Sequence, residues 1–179
     1  AQFIKPFVMR RKKEEVLTEL PDLIEVVYKN ELDDQQKAIY LAQLQQMQEH
    51  LGQVSDSEFQ RNRVEILTGL MRLRQICDTP ALFMYEYQGE SGKLDSLRDL
   101  LTQIAEGGHR VLIFSQFRGM LDRIEQELPE LGLTSFKITG STPSQDRQEM
   151  TKAFNQGERD VFLISLKAGG VGLNLTGAD

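Results

Sequence analysis

The sequence is poor in the side chains that build covalent or metal-held scaffolds. Its single cysteine, Cys77, cannot close an internal disulfide, which fits a reducing compartment. With only two histidines beside it, no Cys/His zinc site can be assembled, and no metal ligands are expected. Long apolar runs are also missing. The longest, Val161 to Ile164, is strand-sized and far short of the roughly 18–20 residues that span a bilayer, so no membrane partner is expected. The opening AQFIKPFVMRRKKEE turns basic and then acidic where a signal peptide carries its apolar core, so no leader is expected either. No Gly-X-Y period points to collagen. What is present is ordinary globular usage: 179 residues, 40% hydrophobic and 27% charged. That is enough for one domain of about 100–200 residues with an appended piece.

The net charge of −6 argues at first against a polyanionic partner. The charge is unevenly spread, however. Residues 1–13 carry five bases and no acid, while residues 31–60 carry six acids and one base. The basic block Arg10-Arg11-Lys12-Lys13 has two readings, a solvated helix face balanced by Glu14 and Glu15, or a phosphate-facing run.

The hydrophobic period changes midway. After Asp33-Asp34, Tyr40, Leu44, Met47 and Leu51 recur on one helical face, with six glutamines from Gln35 to Gln48 on the other sides. A second helix is predicted from Ser57 to Cys77, with Ile66, Leu70, Leu73 and Cys77 on one face, widened by Leu67 and Met71. Cys77 then reads as a small buried hydrophobe. Between them and Pro21, the β-branched Ile24–Tyr28 reads as a strand. Pro80 stops the second helix, and Tyr85–Gly92 is the best linker. Beyond it, helix and strand alternate. Leu94, Leu97, Leu101 and Ile104 mark a helix capped by Gly107-Gly108, and Leu121 to Leu131 mark another. A third opens at Thr142-Pro143-Ser144-Gln145, read as a capping box with proline at the first helical position. Strands are predicted at 111–114, 134–139 and 161–165. This rhythm predicts an α/β fold with a parallel sheet covered on both faces.

Ligands of open α/β sheets collect at the carboxyl ends of strands. Here those ends read Ser115-Gln116, Thr139-Gly140-Ser141-Thr142 and Ser165-Leu166-Lys167-Ala168-Gly169-Gly170. Singly, such hydroxyls only cap helices. As three aligned ends, they form an edge of hydroxyl and N–H donors suited to phosphate oxygens, with Lys167 as point charge. The glycines of 169–179 do not complete a nucleotide fingerprint. Gly170, Gly172 and Asn174 lack the third glycine of the dinucleotide pattern, and Ala178-Asp179 stands where a P-loop has Lys and Ser/Thr. There is no Asp-Glu dipeptide to hold magnesium, and His50 and His109 read as structural or solvated. By its chemistry the chain is a binding lobe with no catalytic residue of its own.

These blocks resemble, in order, the second half of the motor of SWI/SNF-type DNA-dependent ATPases, within helicase superfamily two. The blocks are Pro6-Phe7-Val8-Met9-Arg10-Arg11 with Leu20-Pro21, Leu70–Cys77 with Pro80 and Leu82-Phe83, Val111–Gln116, Gly140-Ser141-Thr142 with Arg147 and Phe154-Asn155, and Ser165 through Asp179. The last string is similar in wording to bacterial members. The chain departs from the common pattern at Asp78-Thr79 (often Asn-His), Thr139 (often Asp) and Gly119 (often Arg).

The resemblance implies a helical connector over 1–90. It implies a partial C-terminal RecA-like lobe of P-loop NTPase type over 91–179, ending before the family's arginine motif. It implies ATP and Mg2+ held mainly by a first lobe, which is one partner, and the backbone of double-stranded DNA as the other. Ser115, Gln116, Gly140, Ser141, Ser165 and Lys167 become expected nucleic-acid contacts. Gly170, Gly172 and Asn174 become the expected nucleotide side, where bare backbone admits a phosphate or ribose. Arg10 and Arg11 become hinge residues between the lobes. A cytoplasmic location is expected, at the nucleoid if the protein is bacterial. Two other classes remain open: a protein-interaction module acting through the helices of 33–77, and a stand-alone Rossmann-like nucleotide binder.

Overall fold

The computed structural model describes residues 24–52, 63–169 and 172–179. Arg10, Arg11 and Gly170 lie outside them, as do the predicted helical residues 57–62.

Two helices come first, α1 (Asp34–Gly52) and α2 (Arg63–Asp78). Asp33 and Gln36 cap α1 reciprocally: Gln36 N–H donates to Asp33 Oδ1 at 2.7 Å and Asp33 N–H to Gln36 Oε1 at 3.3 Å. The same Gln36 is completely buried and donates to the Ile76 carbonyl at 2.6 Å. It therefore leaves the polar face assigned to it by sequence, because its amide satisfies one of the orphan carbonyls at the α2 C-terminus. Met47 packs over Gly69 and His50 lies 3.3 Å from Glu65, so the helices run antiparallel. The apolar face expected of α2 divides. Leu73 and Ile76 are buried and Cys77 is half-buried, its thiol pushed up chiefly by burial. Leu67, Leu70 and Met71 are exposed.

The strand expected at Ile24–Tyr28 does not form among the described residues. No neighbouring strand pairs with it, and its side chains stand in solvent, Ile24 85% and Val27 81% exposed. The segment instead crosses the start of α3 (Gly92–Gly107) so closely that a Cβ on Gly92 would overlap the Glu31 carbonyl. Ser91 caps α3, and its hydroxyl donates to the Asp78 carbonyl, while Lys93 pairs with the Asp78 carboxylate. A turn of 3-10 helix, Pro80–Leu82, links α2 to this junction. Gly108, at φ 67°, ends α3 as its sequence predicts.

Strands β1 (Val111–Ser115), β2 (Ser135–Ile138) and β3 (Val161–Ser165) form a parallel sheet in the order β1-β3-β2. The right fold class was thus legible in the period alone. Every residue of β3 is buried. Val161 and Leu163 face a core built with α3 and α4 (Arg118–Glu127), while Phe162 and Ile164 face one built with α5 (Ser144–Asn155). After α4 the chain tightens to 3-10 geometry at Leu128–Leu131, where Pro129 enters. A short α6 (Leu166–Gly169) follows β3. The capping box expected at Thr142 is absent. Pro143, whose side chain has no acceptor, occupies the N-cap, and the Thr142 hydroxyl one residue earlier instead accepts the Thr139 N–H at 3.0 Å.

Asp160, just before β3, accepts the Thr134 N–H at 2.8 Å and the Thr134 hydroxyl at 2.7 Å. These bonds from Thr134 hold its carboxyl below the usual range, against a smaller opposing effect of burial. A lowered folded-state pKa stabilises above the unfolded value and is lost as pH falls through it. Acid unfolding should therefore steepen below about pH 4, and Asp160→Asn should flatten that limb. Chemical denaturation followed between pH 3 and 7, as a range of about four units around the carboxylate pKa, checks it.

Candidate nucleic-acid interface

The parallel register sets three strand ends level. Ser115 pairs with Ser165 and Ile138 with Ile164, so Thr139 stands beside Ser165 across the sheet edge. The three polar ends named from sequence thus share one edge.

Their side chains do different things there. The Ser115 hydroxyl accepts the Phe117 N–H at 3.1 Å and closes the turn around Gln116. Gln116 is exposed, and its Oε1 accepts a hydrogen bond of 2.7 Å from Arg74 of α2. Gly140 and Ser141 are exposed, and the Ser141 hydroxyl lies 2.9 Å from that of Thr139. A Cβ on Gly140 would meet nothing within 4 Å, so space alone does not demand glycine there. Ser165 is buried beneath the edge, its Oγ without a hydrogen-bond partner. Lys167 is exposed and in no ion pair among the described residues.

Arg147 shapes the middle end. Its guanidinium donates to the carbonyls of Thr142 (2.8 Å), Thr139 (3.1 Å) and Gly140 (3.2 Å). The acceptors of this loop are thereby engaged by a cation, which suits an edge meant for an acceptor-only partner such as phosphate.

Of the residues expected on the nucleotide side, Gly172 and Asn174 are described. Gly172 adopts φ 65° with open space around it, so its backbone angle favours glycine. Asn174 is exposed, and its carbonyl accepts from Asn155 Nδ2 at 2.8 Å. Both line a cleft of about 640 Å3 against α5, with Arg147, Thr151 and Lys152. Among the described residues, no group of three or more His, Cys, Asp or Glu is placed to hold a metal ion. Nor does any loop among the described residues carry P-loop chemistry, so these residues do not by themselves fit ATP with Mg2+.

Sequence reasoning gave no role to the residues that hold the 172–179 segment. Asn155 Oδ1 accepts the N–H groups of Thr176 (2.9 Å) and Gly177 (3.0 Å). Arg110 donates to the carbonyls of Gly177 (2.6 Å), Arg159 (2.9 Å), Glu158 (2.9 Å) and Phe154, and stacks 4.0 Å over the Phe154 ring. Asp179 bonds the Arg110 N–H at 2.7 Å and His109 Nδ1 at 2.6 Å. The His109 bond, first, holds the Asp179 carboxyl low. The sole signal for Asn155 was its place in Phe154-Asn155. Arg110 follows a helix cap and carried none.

Residues 1–82 match the SNF2-related domain family and residues 92–179 the helicase conserved C-terminal domain family. Among curated relatives, Chromodomain-helicase-DNA-binding protein 1-like of Danio rerio is 39% identical over 99% of this chain and 18% of its own length. The putative ATP-dependent helicase/translocase YwqA of Bacillus subtilis is 34% identical over 99% of this chain and 20% of its own length. The chain thus spans about a fifth of such relatives. In structure it is similar to the Sulfolobus solfataricus SWI2/SNF2 ATPase core in complex with dsDNA. That match has a TM-score of 0.78 and 26% identity, and it covers 99% of this chain and 38% of that one.

Replacing Arg110 by Ala leaves four carbonyls and an aromatic face without their cation. A loss on the order of 2–4 kcal/mol is expected. Arg110→Lys should recover less than half, since a single ammonium cannot match the fork. Equilibrium unfolding in urea measures both.

Proposed function

Because the chain belongs to the SWI/SNF-type ATPases, matching their SNF2-related and helicase conserved C-terminal domains, we propose that it is the second motor lobe of an ATP-dependent double-stranded-DNA translocase or remodeller. Residues 1–90 act as the helical connector and 91–179 as part of the C-terminal RecA-like lobe. The observation that carries this reading is the level alignment of three polar strand ends on one sheet edge.

A duplex backbone offers charged acceptors at a regular spacing and no sequence information. The edge offers donors: the Gln116 amide, the Ser141 hydroxyl, loop N–H groups and the Lys167 ammonium. Such contacts grip without reading bases. Ser165, lying under the edge, supports it from below or is uncovered when the edge moves. Bound mainly by the first lobe, ATP would supply the energy for closing and opening the two lobes. This chain contributes the Gly172–Asn174 face to that interface, while the triphosphate and Mg2+ ligands belong to the first lobe. Arg10 and Arg11 take the hinge role by motif match alone, and the exposed Leu67, Leu70 and Met71 provide apolar surface for the first lobe to cover. The same exposed leucines favour a second reading, a protein-interaction module. It predicts capture of a protein partner that depends on residues 33–77 and ignores DNA.

Duplex binding should be indifferent to base sequence and fall with salt. Lys167→Ala should reduce the log–log salt slope by about 0.9, one phosphate contact. An unchanged slope removes Lys167 from the edge. The 179 residues alone should turn over no ATP, whereas the intact protein should do so in a DNA-dependent way. Turnover by the isolated chain in a phosphate-release assay would overturn the division of labour between lobes.

A further inference from the structure

Gln116 presents a chemical ambiguity that its surroundings resolve. A carboxamide has one end that accepts and one that donates, and only the donating end suits a phosphate oxygen. Two fixed features meet at this side chain. The turn closed by Ser115 and Phe117 holds the backbone, 3.1 Å between Oγ and N. From α2, forty-two residues earlier in sequence, the Arg74 guanidinium approaches to 2.7 Å. A guanidinium carries donors and no acceptor, so the atom facing it has to be the oxygen. The amide nitrogen, with its two N–H donors, is thereby turned away from Arg74.

We infer that Arg74 is a positioning residue for the DNA edge: it fixes the orientation of the Gln116 amide so that donors, not the oxygen, are offered to the phosphate backbone. The inference rests on the reading of this edge as the phosphate-facing one. It makes the interface composite, because a helix of the connector sets the polarity of a contact on the lobe. Without Arg74 the amide rotates freely, and half of its orientations present an oxygen to an oxygen. With lysine at 74 a donor remains and the orientation is kept. A neutral amide leaves the Arg74 charge intact, so it is the coupling between Arg74 and Gln116 that separates this role from a direct phosphate contact, which would act independently of Gln116.

The test uses the intact protein and a mixed-sequence duplex, with Kd measured across a salt series and thermal unfolding as a control on folding. Arg74→Ala should weaken binding roughly three- to tenfold, the net worth of one ordinary hydrogen bond. Gln116→Ala should do the same, and the double variant should be no weaker than either single one. Arg74→Lys should bind nearly as the parent does. Unchanged Kd in Arg74→Ala, or effects that multiply in the double variant, would each overturn the positioning role. Failure of the parent protein to bind duplex at all would remove the edge itself, and this inference with it. Parent binding with an indifferent Arg74→Ala removes the inference alone.

Discussion

A strand buried on both faces and paired on both sides cannot have its neighbours reversed one at a time. Here β3 pairs in parallel with β1 on one side and β2 on the other, and each of its five residues is buried. Parallel pairing obliges the chain to cross back over the sheet between strands, which places α4 on one face and α5 on the other. The same constraint delivers every carboxyl end to one edge. The shared edge at Ser115, Thr139 and Ser165 is therefore a consequence of how β3 is buried, and it would exist whatever residues occupied it. Function enters in what occupies it: small, polar and donor-rich side chains in place of a hydrophobic closure.

The opposite edge is fastened, and this leaves the functional edge to carry the openings. Arg110, at the start of β1, draws together the end of α5 and the 177–179 segment through their carbonyls. Asn155 performs the same service for the backbone of 174–177. Both use side-chain forks to replace the ladder bonds that an irregular segment cannot make for itself. Just before this clamp, Gly172 takes a positive φ of 65°, an angle that favours glycine.

How much of this was legible in sequence follows from range. Periodicity and caps are local, so α3, the three strands and the Gly108 cap were readable in place. Readings that depended on who stood opposite failed. Ile24–Tyr28 has the composition of a strand and no strand beside it. Thr142 has the spacing of a capping box, but its hydroxyl is used by Thr139. Gln36 looks like solvated glutamine and is buried at 0% exposure, because a carbonyl forty residues away needed a donor. The strand-end motifs showed which segments would meet, since topology orders them. They did not show that Ser165 would lie under the edge, or that Arg147 and Arg74 would brace it, since those facts depend on side-chain reach across the fold.

The same accounting explains how an acidic chain can present a surface to a polyanion. Net charge of −6 describes the sum, not the edge. Many cations here are committed internally. Arg98 is held by Glu127 and Asp95, and Lys137 by Asp122 and Glu125, whose bonds and charges outweigh the burial that opposes them and raise its pKa. Arg110 and Arg147 are spent on backbone carbonyls. The edge is left with neutral donors, Lys167 and the Arg74 guanidinium beside Gln116. Neutral donors recognise phosphate through geometry and release no counterions, so they add to affinity with little added salt dependence. On the proposed reading of this edge as a duplex-backbone contact, a grip of that kind is weak enough to be released at every step, which a lobe that moves along a backbone requires and a lobe that stays bound does not.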